Sequence, residues 1–210
     1  MKTLVFNGWA AGPETWALCD FPRDWTFDYI EQLDGLPEKV VDESDDLLLV
    51  GFSMGGSTAL RMLLRAPGKV RGLVLVSATP CMKRREGWCG MSDRRLDALR
   101  LGTALAFRND PSPIYARENM ERGLAYLDGT DLRADLRALG PTPFPVVVFQ
   151  SERDGIVRPE NAAFLKSVFP QAEVVMVPGA EHVLPVTVPE RISAAVRRIG
   201  SEVLPFHNEI

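Results

Sequence analysis

A single turn, at residues 51–57, constrains this chain more than any other stretch. It reads Gly-Phe-Ser-Met-Gly-Gly-Ser between the apolar run 47–50, which predicts a buried strand, and 58–65, which predicts a helix with one apolar face. Only very small residues beside the serine let strand and helix pass this closely, so the pattern predicts a nucleophile, Ser53, projecting above a sheet. The alternative is a glycine-rich turn whose serine only caps the helix.

Short runs of β-favouring residues recur along the chain and predict about six strands, at 3–6, 25–30, 47–50, 71–76, 146–149 and 174–177. A strand, a helix and a strand at this spacing form a parallel crossover unit. Residues 32–46 predict a loop with at most a short helix, and proline begins predicted helices at 159–168 and 189–199. The predicted fold class is α/β, with a doubly wound and mostly parallel sheet.

The alternation of predicted strands and helices is interrupted at 81–140, because this segment contains no β-rich run. Helix signals occur instead at 92–107, 114–127 and 132–139. At 210 residues and 46% hydrophobic, the chain is long enough for one core and short for two. We therefore expect one domain, 1–210, in which 81–140 is a helical cap inserted after the fourth strand.

Composition excludes several function classes. With 24 basic and 28 acidic residues, the net charge of −4 does not favour a nucleic acid or an anionic membrane as partner. Three cysteines without paired spacing predict neither a disulfide framework nor a metal site, and fit a reducing cytoplasm. The apolar run 4–6 is too short for a signal peptide, and no stretch is long enough to span a bilayer. We expect no cofactor, and a monomer or weak dimer.

A nucleophilic serine needs a base, and the chain has two histidines. His182 lies in a predicted loop after the last strand, whereas His207 lies in the terminal tail. The acid that orients the base is expected after the strand 146–149, where Asp154 precedes a glycine and Glu152 is a rival. The order Ser53, Asp154, His182 is that of the α/β-hydrolases. The plainer alternatives are a turn-forming Asp154 and a solvent-facing His182.

Two backbone amides are candidates for stabilising the oxyanion of an acyl intermediate. The residue after the nucleophile supplies the first, from Met54, and the loop after the first strand supplies the second, from Trp9. The Trp9 side chain either borders the substrate or packs in the core, and its backbone role depends on neither.

Together these features resemble the α/β-hydrolase superfamily along nearly the whole chain. Several motifs are similar to those of the biotin-pathway carboxylesterases, which cleave the methyl ester of pimeloyl-acyl carrier protein. These are Asn-Gly-Trp at 7–9, Gly-Phe-Ser-Met-Gly-Gly at 51–56, Ser-Ala-Thr-Pro-Cys at 77–81 with Trp88 following, Asp-Leu-Arg at 131–133 and Asp-Gly-Ile-Val at 154–157. Members of that family usually have histidine where this chain has Asn7.

The resemblance implies a serine carboxylesterase of biotin biosynthesis whose cap binds the acyl chain and the acidic carrier protein. Trp9, Met54 and Phe107 are then candidate substrate contacts, and the cap segment 81–100 carries a local charge of +3. Candidate carrier-protein contacts in that segment are Arg84, Arg85, Arg94 and Arg95. The alternatives are a solvated helix face for the arginines and ordinary core packing for Phe107.

Fold and triad do not determine the substrate. A second hypothesis is therefore a hydrolase with the same fold that acts on a small ester, a thioester or a carbon-carbon bond. A third hypothesis is a non-catalytic binding protein that kept the fold.

Overall fold

The structure is a computed structural model that describes residues 1–202. Its centre is one six-stranded sheet in the order β2-β1-β3-β4-β5-β6, in which every neighbouring pair is parallel. The predicted sheet of about six strands is confirmed. Its strands are β1 (Lys2–Phe6), β2 (Trp25–Phe27), β3 (Leu47–Phe52), β4 (Val70–Val76), β5 (Val146–Ser151) and β6 (Glu173–Val177).

Helices cover both faces of the sheet, because alternate strand residues point to opposite sides. Leu47 and Leu49 pack on one face with the helix that follows β3, whereas Leu48 and Val50 pack on the other face with the last helix of the described chain. The α-helices are α1 (Tyr29–Leu33), α2 (Leu36–Asp42), α3 (Met54–Arg65), α4 (Asp93–Ala106), α5 (Arg117–Gly129), α6 (Arg133–Leu139), α7 (Glu160–Val168), α8 (Leu184–Thr187) and α9 (Pro189–Glu202). Short 3-10 turns lie at Pro13–Trp16, Pro67–Lys69 and Pro113–Tyr115.

The predicted strand 25–30 is wrong at its end, because β2 stops at Phe27 and α1 begins at Tyr29. Asp28 and Glu31 form a capping box: the Glu31 N–H donates to the Asp28 carboxylate at 2.8 Å, and the Asp28 N–H donates to Glu31 at 3.0 Å. These two bonds satisfy amides that would otherwise lack partners at a helix start. Local capping therefore outweighs the β propensity of the aromatic run.

The helical insertion predicted after the fourth strand is confirmed, since α4, α5 and α6 lie between β4 and β5. The α5 helix buries Met120, Gly123 and Leu127, whereas α4 buries no residue fully. We call residues 81–140 the cap, and these boundaries stay a prediction. None of the helices within residues 1–202 has the length and apolar character needed to cross a membrane.

Candidate active site

Ser53 lies in the tight turn between β3 and α3, with its backbone at φ 54° and ψ −118°. A positive φ is strained for a residue with a side chain, so the surrounding packing has to hold it. An added Cβ at Gly51 would lie 2.5 Å from the carbonyl oxygen of Gly55, and one at Gly55 would overlap the backbone of Phe6. The glycine spacing therefore has the steric cause expected from the sequence.

The structure brings Ser53, His182 and Asp154 into one hydrogen-bonded chain. His182 Nε2 lies 2.9 Å from Ser53 Oγ, and His182 Nδ1 lies 2.8 Å from Asp154 Oδ2. The three residues follow β3, β6 and β5, whose carboxyl ends share one edge of the parallel sheet. A base between a hydroxyl and a carboxylate is the arrangement that activates a serine for acyl transfer.

Asp154 is held from two sides. Its Oδ1 accepts N–H groups of Ile156 and Val157, each at 2.8 Å, which leaves Oδ2 for His182. The Asp154 side chain is fully buried, whereas the rival Glu152 is exposed. Asp154 thus closes a tight turn and also bonds to His182. The turn-forming role and the role as partner of the histidine are therefore both present. His207 lies outside the described residues.

The loop that carries His182 is fixed by hydroxyl groups that the sequence reasoning missed. Ser77 Oγ donates to the His182 carbonyl at 2.8 Å, and Ser77 itself adopts a positive φ of 45°. Ser151 Oγ donates to the carbonyl of Ala180, which also accepts the Arg153 N–H at 3.3 Å. Ser77 follows β4 and Ser151 ends β5. The position of these hydroxyl side chains at strand ends is the feature of the sequence that could have indicated their role in holding the loop.

The loop after β1 runs beside the serine turn. An added Cβ at Gly8 would lie 3.2 Å from the Cβ of Ser53, so only glycine fits without displacement. Asn7 is fully buried and ties the loop to β2, because its Nδ2 donates to the Phe27 carbonyl at 3.0 Å. Gln32 donates to the Asn7 carbonyl at 2.9 Å. Asn7 therefore has a structural role, because it holds the loop after β1 against β2.

The predicted oxyanion donors, Trp9 and Met54, both belong to this junction. Within residues 1–202, neither backbone N–H donates to a protein group. The Trp9 side chain reaches the cap, where its Nε1 donates to the Met120 carbonyl at 3.1 Å and its ring packs against Gly123. Their role at an oxyanion remains a prediction.

A cavity of about 220 Å³ opens beside Ser53 and His182. Phe107 lines it, and its ring stacks on Tyr115 with the centroids 3.9 Å apart. Phe107 also lines a groove of about 840 Å³ between α4 and α5. Other residues lining the cavity beside Ser53 are Trp9, Ala10, Ala11, Thr15, Phe52, Met82, Leu99, Thr103, Leu127, Ile156 and Val183. Met54 is fully buried and does not line the cavity.

The four candidate carrier contacts are all exposed, yet they differ in their partners. Arg85 donates to the Asp128 carbonyl at 2.6 Å and lies 3.6 Å from the Asp131 carboxylate. Arg95 donates to the carbonyl of Gly155 at 2.8 Å. The side chains of Arg84 and Arg94 bond to nothing in the described part of the chain.

The motif at 77–81 builds the base of the cap. Trp88 Nε1 and Thr79 Oγ1 both donate to the Cys81 carbonyl, at 2.6 Å and 2.8 Å. The guanidinium of Arg133 lies 5.2 Å from the centre of the Trp88 ring, a cation–π contact. Burial raises the pKa of the Cys81 thiol, which favours its unreactive protonated form. This motif is structural in the present chain.

Comparison with known proteins identifies related chains. The model of the alpha/beta hydrolase family matches residues 8–195. A protein of Nitrosospira multiformis named pimeloyl-acyl-carrier-protein methyl ester esterase is 28% identical over 196 residues, which cover 78% of this chain and 72% of the relative. One of the same name from Yersinia enterocolitica is 31% identical over 172 residues, covering 70% of this chain and 66% of the relative.

Among solved structures, an esterase from Exiguobacterium antarcticum superposes with a TM-score of 0.72. It is 17% identical, and the match covers 95% of this chain and 92% of that one. A bromoperoxidase from Bacillus anthracis superposes with a TM-score of 0.69 at 19% identity, covering 95% and 92%. At these identities the likeness shows a shared fold.

Proposed function

The chain belongs to the alpha/beta hydrolase family, and we propose that it is a serine carboxylesterase. Its proposed substrate is the methyl ester of pimeloyl-acyl carrier protein, which it hydrolyses in biotin biosynthesis. The observation that carries the proposal is the hydrogen-bonded chain Ser53–His182–Asp154 beside an apolar cavity. The names of the relatives from Nitrosospira and Yersinia support this ester as the substrate.

In the proposed mechanism, His182 takes the proton from Ser53 as its oxygen attacks the ester carbonyl. Asp154 holds the histidine with its other ring nitrogen protonated and stabilises the imidazolium that forms. The amides of Trp9 and Met54 donate to the oxyanion. His182 then passes the proton to the methoxide, methanol leaves, and water activated by His182 releases the acid from the serine.

The cap has a charge distribution suited to an acidic carrier protein. Arg84 and Arg94 are exposed and unpaired within residues 1–202, and so are free to attract carboxylates. Attraction between exposed charges weakens with salt, because screening shortens to about 10 Å at 0.1 M. The KM for the carrier-linked ester should therefore rise with ionic strength, and a salt-independent KM would speak against this surface. We also propose a cytoplasmic monomer or weak dimer, in which 81–140 acts as the cap of a single domain.

The decisive experiment measures methanol release from pimeloyl-carrier-protein methyl ester, with Ser53→Ala as control. Free dimethyl pimelate and a short aryl ester are measured alongside. We expect fast cleavage that depends on Ser53 and prefers the carrier-linked ester. Activity confined to the short ester would mean a family hydrolase with another substrate, and failure of a covalent serine probe to label Ser53 would favour a non-catalytic protein.

A further inference from the structure

A second, smaller cavity lies between the cap and the loop after β5. Its volume is about 120 Å³, and we call it the arginine pocket because three arginines are among its lining residues. It joins segments that are far apart in the chain, the start of α4 and the residues that follow Asp154. The lining residues are Arg84, Gly90, Met91, Ser92, Arg95, Ile156 and Arg158.

The pocket gathers positive charge without a matching acid among its lining residues. The nearest pairing within residues 1–202 is between Arg158 Nε and Glu160, at 3.8 Å on the surface, where ion pairs contribute little. Arg95 bonds only a carbonyl, that of Gly155, and the side chain of Arg84 has no partner in the same range. Like charges that converge on a concave site raise its positive potential, which an anion would relieve.

The number of donors favours a phosphate group over a carboxylate. One guanidinium already satisfies the two oxygens of a carboxylate in a bidentate pair, whereas an orthophosphate ion has more oxygens and more charge for three such groups. Ser92, which precedes the 14-residue α4, also lines the pocket. Its side chain does not cap the helix, so its hydroxyl is free to donate at the positive end of the helix dipole.

We propose that the arginine pocket binds a phosphate group through Arg84, Arg95 and Arg158. Free orthophosphate is one source of such a group. The other is the phosphodiester that links the prosthetic arm of an acyl carrier protein, which carries a single negative charge and fewer free oxygens. The second source rests on the proposed function. Ile156 lines both the pocket and the cavity beside Ser53.

The site is tested by titrating orthophosphate into the full chain by calorimetry at low ionic strength, with chloride as the anion control. Arg158→Gln is compared with Arg153→Gln, an exposed arginine of the same loop that does not line the pocket. We expect saturable phosphate binding that weakens about tenfold in Arg158→Gln, as for one lost charge-assisted contact, and less than about twofold in Arg153→Gln. No saturable binding to the native chain, or equal weakening in both variants, would overturn the proposal.

Kinetics with the carrier-linked ester then identify the source. If the phosphodiester occupies the pocket, orthophosphate competes with that substrate and Arg158→Gln raises its KM, whereas a KM unchanged by either assigns the pocket to free phosphate. Hydrolysis of dimethyl pimelate by the native chain reports separately on the proposed function. A chain that binds phosphate through Arg158 but cleaves no ester would keep the pocket and end the esterase proposal.

Discussion

The indole N–H of Trp9 donates to the main-chain carbonyl of Met120 at 3.1 Å, across 111 residues of sequence. One side chain thus joins the loop after β1 to the first turn of α5 in the cap. An alanine at Gly123 would collide with the same ring, so the helix needs glycine at this contact. A shift of the cap would therefore be transmitted to the loop whose amide we propose as an oxyanion donor.

Replacement of Ser53 by alanine should lower kcat by about 10⁴-fold or more, because no other group can form the acyl intermediate. Hydrolysis of a short aryl ester measures this loss. Ser57→Ala is the matched control, since the Ser57 hydroxyl donates to the Thr79 carbonyl and not to His182. Near-normal turnover by Ser53→Ala would end the proposed mechanism.

The two acids of the loop after β5 should behave differently. Asp154→Asn should lower kcat by about 10⁴-fold, because an amide no longer favours the tautomer in which Nε2 accepts the serine proton. Glu152→Gln, a change of the same kind at an exposed side chain, should alter kcat by less than about twofold. Equal losses in the two variants would contradict the role proposed for Asp154.

We expect no larger residue to be tolerated in place of Gly55. In Gly55→Ala, the new methyl group would overlap the carbonyl oxygen of Phe6, which belongs to the sheet backbone and cannot move freely. We expect a loss of about 3 kcal/mol or more in the free energy of unfolding, measured with urea. Gly102→Ala is the control, because nothing lies within 4 Å of its added Cβ in the middle of α4. That variant should be more stable by about 0.5–1 kcal/mol.

Tyr29 should make stability depend on pH in the alkaline range. Its ring is fully buried, its hydroxyl donates to the Ile114 carbonyl, and burial raises its pKa from 10.0 to about 12. A phenol whose pKa is higher in the folded chain adds stability that is complete below pH 10 and is lost as the pH rises towards 12.

The comparison of native chain and Tyr29→Phe isolates this contribution. The variant should unfold more easily by about 1 kcal/mol at pH 8, where it lacks the hydrogen bond to Ile114. That difference should shrink between pH 10 and pH 12, because the phenol of the unfolded native chain ionises there while the phenol of the folded chain stays protonated. Denaturant titrations at a series of pH values measure it, and a difference that stays constant across this window would contradict the prediction.

Phe107 should limit the size of the substrate. Phe107 lines both the cavity beside Ser53 and the groove between α4 and α5, so we expect Phe107→Ala to open the cavity towards the groove. We expect kcat/KM to rise about tenfold for long acyl esters relative to short ones. Leu105→Ala, an exposed residue of the same helix that lines neither space, should leave the ratio unchanged. A preference unaffected by Phe107→Ala would exclude this role.

Much of the fold could be predicted because its signals are local. The six strands are short β-rich runs, and the position of the cap follows from the absence of such a run at 81–140. The error at 25–30 has a local cause as well, since the capping box of Asp28 and Glu31 overrides the aromatic run. The anchoring bond from Ser77 to His182 could not be predicted, because it joins residues 105 positions apart.

The sequence by itself determined the serine turn, because glycine spacing acts through sterics within a few residues, and it also determined the chain order of the serine, the acid and the base. Only the tertiary structure decided that Asp154, rather than Glu152, meets His182. It likewise decided that Phe107 lines two cavities and that Arg84, Arg95 and Arg158 share one pocket. The reason is physical: these contacts join distant segments, and their geometry depends on how the cap packs on the carboxyl ends of the strands.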